Sequence, residues 1–289
     1  MKAVSRNNSI RNIAIIAHVD HGKTTLVDHM FRQSGVFREN QEVAERVMDS
    51  MDLERERGIT IAAKNCSVSW HDTRINILDT PGHADFGGEV ERALVMVDGA
   101  ILLVDSSEGP LPQTRFVLKK ALEARKRIIV VVNKIDRKDA RPQEVLQQIY
   151  DLFIELDATD EQIDFPVLYA IGKQGVAMTT PEAEGKDLTP LFEAVINEIP
   201  GPAHDPAEPF QMLVSDLDYS EYVGRLAIGR VFHGRVHQND SLVCIGDDGQ
   251  PHSLRVSRIQ VYDGIGLRET DEVGPGDIAI LAGIEDVHI

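Results

Sequence analysis

The chain has 289 residues, 42% of them hydrophobic, and a formal net charge of −17. That length exceeds one typical domain and predicts two. The acidic balance argues against a general nucleic-acid binder, although local basic patches leave an RNA partner open. No apolar run approaches the ~20 residues of a membrane-spanning helix, and the polar start lacks the apolar core of a signal peptide. Cys66 and Cys244 read as free thiols. The expectation is a cytoplasmic protein, monomeric and without membrane contact.

In chain order, residues 13–17 read as a buried strand and residues 23–33 as a helix. Further strands are predicted at 74–78, 100–105, 128–133 and 167–170, with helices near 85–97, 113–124, 142–156 and 188–199. Strand–helix alternation of this kind implies an α/β fold with a doubly wound, mostly parallel sheet over residues 1–200. Pro200-Gly201-Pro202, Pro206 and Pro209 then form a stiff connector, residues 201–209. After it the runs 211–217, 224–232, 241–245, 253–261 and 277–281 read as short strands. Turn signals separate them, such as Asp247-Asp248-Gly249 and Pro275-Gly276, and residues 210–289 are expected to form a small all-β barrel. The last residues carry no polar tail, so the chain reads as a piece of something longer.

Ala17-His18-Val19-Asp20-His21-Gly22-Lys23-Thr24 follows the first strand and opens the first helix, the context a phosphate-binding loop requires. Gly22 lets the backbone turn so that its amides face phosphate oxygens, and the helix N-terminus adds partial positive charge. Asp20, His21, Gly22, Lys23, Thr24 and Thr25 are the candidate phosphate-binding residues. Lys23 would meet the β- and γ-phosphates and neutralise their charge during reaction, and Thr24 would ligate Mg²⁺. The motif's usual first glycine is Ala17 here, which requires an ordinary negative φ. His18 and His21 read as packing around the loop rather than as a metal pair.

Two further motifs follow strands. In Asp79-Thr80-Pro81-Gly82-His83, Asp79 can hold a Mg²⁺-bound water and the Gly82 amide can face the γ-phosphate. Thr60, in Arg57-Gly58-Ile59-Thr60, has the right type and order to supply a second oxygen to the metal, with its ordering dependent on the γ-phosphate. The neighbouring charged run 52–57 also fits a solvated helix. In Asn133-Lys134-Ile135-Asp136, the Asp136 carboxylate can accept from guanine N1–H and the 2-amino group, a donor pair adenine lacks. Asn133 would brace the loop, and the Lys134 stem would stack on the base. The motif order favours GTP over ATP, and argues against a P-loop ATPase or kinase.

These segments resemble the translational GTPases, and within them the BipA/TypA group of ribosome-binding GTPases. The likeness rests on residues 11–25 and 48–60, and on Asp79-Thr80-Pro81-Gly82-His83-Ala84-Asp85-Phe86-Gly87-Gly88-Glu89-Val90-Glu91-Arg92. Residues 109–117 and 157–162 carry it further. The first two stretches are shared with the LepA and elongation factor G groups, which stay open as alternatives. The resemblance implies that His83 orients or activates the attacking water, with Val19 and Ile59 as an apolar gate. Asp20 also reads as a candidate ligand for a monovalent cation beside the phosphates. The base-contacting loop after the sixth strand corresponds to Ile171-Gly172-Lys173, where the family often has Ser-Ala-Leu or Ser-Ala-Lys. The Gly172 amide can meet guanine O6, but the serine's bracing hydroxyl is absent at Ile171.

The function these readings imply is hydrolysis of GTP to GDP and phosphate, stimulated by ribosomal RNA and proteins. The competing reading is a nucleotide-state switch with little turnover of its own.

Overall fold

The computed structural model describes residues 4–35, 64–79, 87–246 and 249–283, and these form two compact units. One unit is Arg11–Pro200. The other joins residues 1–10 to residues 201–289.

The first unit follows from its strands. After the short β1 (Ser5–Arg6), which belongs to the other unit, comes β2 (Ile10–Ala17), every residue of which is buried. Burial on both faces is what a strand covered by helices on each side shows. Helix α1 (Lys23–Gln33) follows. The antiparallel pair β3 (Lys64–Trp70) and β4 (Thr73–Asp79) comes next, then α2 (Gly87–Met96) and β5 (Gly99–Asp105). Helix α3 (Pro112–Glu123), β6 (Arg127–Asn133), α4 (Pro142–Glu155), α5 (Asp160–Ile163), β7 (Val167–Ile171), β8 (Val176–Met178) and α6 (Thr189–Glu198) complete it.

The seven strands lie in the order β3-β4-β2-β5-β6-β7-β8. The pairs β2–β5, β5–β6 and β6–β7 are parallel. Ile13, Ile15, Ile101, Leu103, Ile129 and Val131 pack with Leu26, Met30 and Phe31 of α1 and with Leu191, Phe192 and Val195 of α6. The alternate strand residues Ile16, Leu102, Val104, Val130 and Val132 are equally buried, as are Val117 and Leu118 of α3 and Ile149 and Phe153 of α4. Period-two alternation assigns these strand residues to the opposite face. The sheet is doubly wound, as the strand–helix alternation predicts.

Within this seven-stranded sheet, β3 and β8 were not read from the sequence. β3 alternates Cys66 and Val68 inward, and its Trp70 ring stacks on Phe192 at 4.2 Å. Its three inward positions are too few to stand out beside Ser67 and Ser69. β8 has three residues and pairs antiparallel with β7.

The second unit is β-rich. β9 (Ala203–His204) precedes the long hairpin β10 (Gln211–Ser220) and β11 (Gly224–His233). Then come β12 (Val236–His237), β13 (Ser241–Ile245), β14 (Pro251–Arg255), β15 (Arg258–Asp263), β16 (Gly266–Glu269), β17 (Glu272–Val273) and β18 (Ile278–Ala282). A five-stranded sheet runs β10-β11-β18-β15-β16, and beside it lie the β13–β14 hairpin and the antiparallel pair β12–β17. Ala227, Val231, Val236, Val256, Ile259, Val261, Val273 and Leu281 share one core.

Two expectations are corrected. The run 253–261 is two strands, because β14 pairs with β13 while β15 pairs with β18. The switch falls at Val256 and Ser257: Val256 N donates to Asp240 O, and Ser257 N to Ala282 O. The first ten residues, read with the first domain, go with the second unit, as does the connector. β1 pairs with β9, Asn7 N donates to Pro202 O at 2.9 Å, and Asn7 Nδ2 donates to Pro275 O at 2.9 Å.

Candidate nucleotide site

The parallel sheet gathers the loops that follow β2, β5, β6 and β7 at one edge. The chain passes from β2 to β4 on one side and to β5 on the other, so this edge is a topological switch point, where open α/β sheets bind ligands.

Ala17 ends β2 in strand conformation, as its place in the motif requires. The backbone then turns through two left-handed residues, Asp20 at φ 66° and Gly22 at φ 95°. A Cβ on Gly22 would lie 2.5 Å from Asn133 Nδ2, so no larger residue fits. Gly22 caps α1 without a side-chain hydrogen bond, and the first turn has no acidic residue. The amides of that turn and their dipole are left for an anion. Thr24 is half-buried on this turn and Thr25 is exposed.

Lys23 and Asp79 are both buried and meet at 2.5 Å. The cation expected at the phosphates and the carboxylate expected at the metal therefore face each other across the loop. Asp79 and the Thr24 hydroxyl are hard oxygen donors, the set that suits Mg²⁺.

Asn133 binds two loops together. Its Nδ2 donates to His21 O at 2.8 Å, and its Oδ1 accepts from Gly172 N at 2.9 Å. The Gly172 amide, read as the donor to guanine O6, is thus already engaged, and a base oxygen would share that N–H. Lys134 follows at φ 60° and pairs with Asp105 at 2.8 Å. Asp136 is exposed two residues on.

The segment after β7 is held from α1. Gln33 Nε2 donates to Gly175 O at 2.7 Å while its Oε1 accepts from Leu188 N at 2.7 Å. His29 Nε2 lies 3.2 Å from Lys173 O. Neither Gln33 nor His29 belongs to a motif; their one sequence signal is membership of the helix that the loop opens.

His21 is fully buried, its ring edge-on to His18 with centroids 5.3 Å apart. Its Nδ1 lies 3.4 Å from Leu103 O and its Nε2 3.4 Å from Glu108. Burial lowers its pKa; His18 lowers it further, against the opposing pull of the Leu103 carbonyl, Asp105 and Glu108. The ring packs under the loop. Thr60, Gly82 and His83, and with them Ile59, lie outside the described residues.

With this geometry in view, the chain belongs to the family of the elongation factor Tu GTP binding domain, which matches residues 8–201. Residues 209–289 match elongation factor G domain 2. It is 54% identical over 282 residues to the large ribosomal subunit assembly factor BipA of Bacillus subtilis, covering 98% of this chain and 46% of that protein. It is 54% identical over 289 residues to the putative elongation factor TypA-like SVR3, chloroplastic, of Arabidopsis thaliana, covering 100% and 43%. BipA of Escherichia coli K12 is 52% identical over 280 residues, covering 97% and 46%. The chain spans about half the length of the curated relatives it matches. The crystal structure of a bacterial selenocysteine-specific elongation factor, EF-Sec, shares the fold with a TM-score of 0.69 at 24% identity, over 96% of this chain and 42% of that one.

Proposed function

We propose that this chain binds GTP with Mg²⁺ and hydrolyses it to GDP and phosphate, as the nucleotide-binding part of a ribosome-associated translational GTPase of the BipA/TypA group, acting in the cytoplasm. The observation that carries the reading is the Asn133 bridge. One buried side chain ties the phosphate loop to the base loop at the edge where Lys23 meets Asp79.

The chemistry is in-line attack of water on the γ-phosphate, and positioning and charge neutralisation supply most of the catalysis. Lys23 exchanges the Asp79 carboxylate for phosphate oxygens, and the amides of residues 22–25 take the rest of the negative charge. Thr24, Thr60 and Asp79 would hold Mg²⁺, which supplies further neutralisation of the phosphates. Asp136 accepts from the guanine edge, with Lys134 along the base and residues 171–173 closing the site. The Gly82 amide would meet the γ-phosphate, His83 would orient the attacking water, and Asp20 would assist a monovalent cation. The ribosome is the proposed partner, supported by the similarity to large ribosomal subunit assembly factors.

The test is competition of GDP, ADP and XDP for a fluorescent guanine nucleotide, alongside phosphate release from GTP and ATP. Displacement by GDP alone and release from GTP alone support the reading; equal use of ATP overturns it.

A further inference from the structure

We infer that Asp105 and Ser106, at the end of β5, are positioning residues that clamp Lys134, so that its apolar stem rather than its charge is presented to the nucleotide. The inference rests on the nucleotide reading above.

Strand β5 reads Gly-Ala-Ile-Leu-Leu-Val-Asp and is buried throughout. A carboxylate at the end of such a strand is costly unless it is fully partnered. Asp105 is. Its Oδ1 accepts from Ser107 N at 2.8 Å, Ser107 Oγ at 2.6 Å and Glu108 N at 3.4 Å. Its Oδ2 meets Lys134 Nζ at 2.8 Å and Arg137 Nη1 at 3.5 Å. Burial alone would raise the pKa of Asp105, but hydrogen bonds from Lys134 and Ser107 outweigh it and hold the carboxyl well below the usual range.

Ser106 fixes the backbone beside it. Its N–H donates to Asn133 O at 2.8 Å and its Oγ donates to Lys134 O at 2.9 Å. Lys134 is therefore held at its left-handed backbone and at its ammonium. Between these two points its Cε passes 4.0 Å from where a Cβ on Gly22 would stand. With its charge neutralised by Asp105, what the side chain offers along the phosphate loop is its methylene stem, and a stem held at both ends loses little freedom when a base settles on it.

The test uses the 289-residue chain, with Kd measured for GDP and for inosine diphosphate, which lacks the 2-amino group. Asp105→Asn keeps the shape and loses the charge. Both affinities should fall together by about tenfold, the scale of one charge-assisted hydrogen bond, leaving their ratio unchanged because Asp136 still reads the base edge. On a Lys134→Met background, Asp105→Asn should add nothing. Circular-dichroism melts identify folded variants. If Asp105→Asn does not fold, Ser106→Ala, which removes only the tie to the Lys134 carbonyl, should show the same parallel loss at smaller size. Wild-type affinity in the folded variant, or losses that multiply in the Lys134→Met background, overturns the clamp. A wild-type chain that binds no guanine nucleotide overturns the nucleotide reading itself, and the clamp with it.

Discussion

Lys23 and Asp79 set the residue-scale energetics of the site. Both are buried, and removing one partner of such a pair leaves a charge out of water. Lys23→Ala should therefore abolish tight nucleotide binding and also destabilise the free protein by about 3 kcal/mol, read as a lower urea midpoint. Loss of binding with an unchanged midpoint would mean that the pair contributes nothing to the fold. His21 gives a pH dependence. Its pKa is lowered in the folded state, so between that value and the ordinary ~6.5 the unfolded chain binds more protons. Stability is then full above about pH 6.5 and declines as pH falls below it. His18, Glu108, Asp105 and the Leu103 carbonyl face the ring and set the size of the effect. Urea midpoints between pH 8 and 5.5 should fall for the wild type and fall less for His21→Gln; parallel curves would assign the titration elsewhere.

At the scale of elements, α1 both opens the phosphate loop and supports the base loop. Gln33 makes two hydrogen bonds to that loop and the segment after it. Gln33→Leu should weaken GDP binding several-fold and cost about 1–3 kcal/mol of stability, the scale of buried groups left unpaired. A GDP affinity equal to wild type would show that the loop holds without this brace. The contrast with the motifs explains what the sequence reading could reach. Residues 17–25 and 133–136 carry their chemistry in short contiguous runs whose context, a strand end followed by a turn or helix, is also local. Asp105, Ser106, Gln33 and His29 have no such run. Each acts on a partner well removed in sequence, as in the 28 positions between Ser106 and Lys134, and only the sheet order brings them together. The same holds for residues 253–261, where the hydrophobic pattern is continuous but the pairing partner changes midway.

For the whole molecule, the charge of −17 bears on the proposed ribosome partner. A strongly acidic chain gains little from counterion release on RNA, and this one spans about half of its relatives. Ribosomes should raise the GTP turnover of the 289-residue chain much less than that of a chain extended to the length of those relatives. Equal stimulation of the two would place the docking determinants within these residues. The two-unit organisation was legible from the change of pattern near residue 200. The return of residues 1–10 to the second unit was not, because β1 is a two-residue strand whose partner β9 follows the whole first unit.

In the proposed function Asp136 reads the guanine edge, so replacing its carboxylate should change which base the site takes. The most direct measurement is phosphate release from GTP and XTP by the wild type and by Asp136→Asn, with circular dichroism of both. An amide at this position donates where the carboxylate accepts, which suits the 2-oxo group of xanthine in place of guanine's 2-amino group. The wild type should use GTP and not XTP, and the variant, equally folded, should prefer XTP. A variant that still hydrolyses GTP at the wild-type rate and affinity would contradict this role of Asp136.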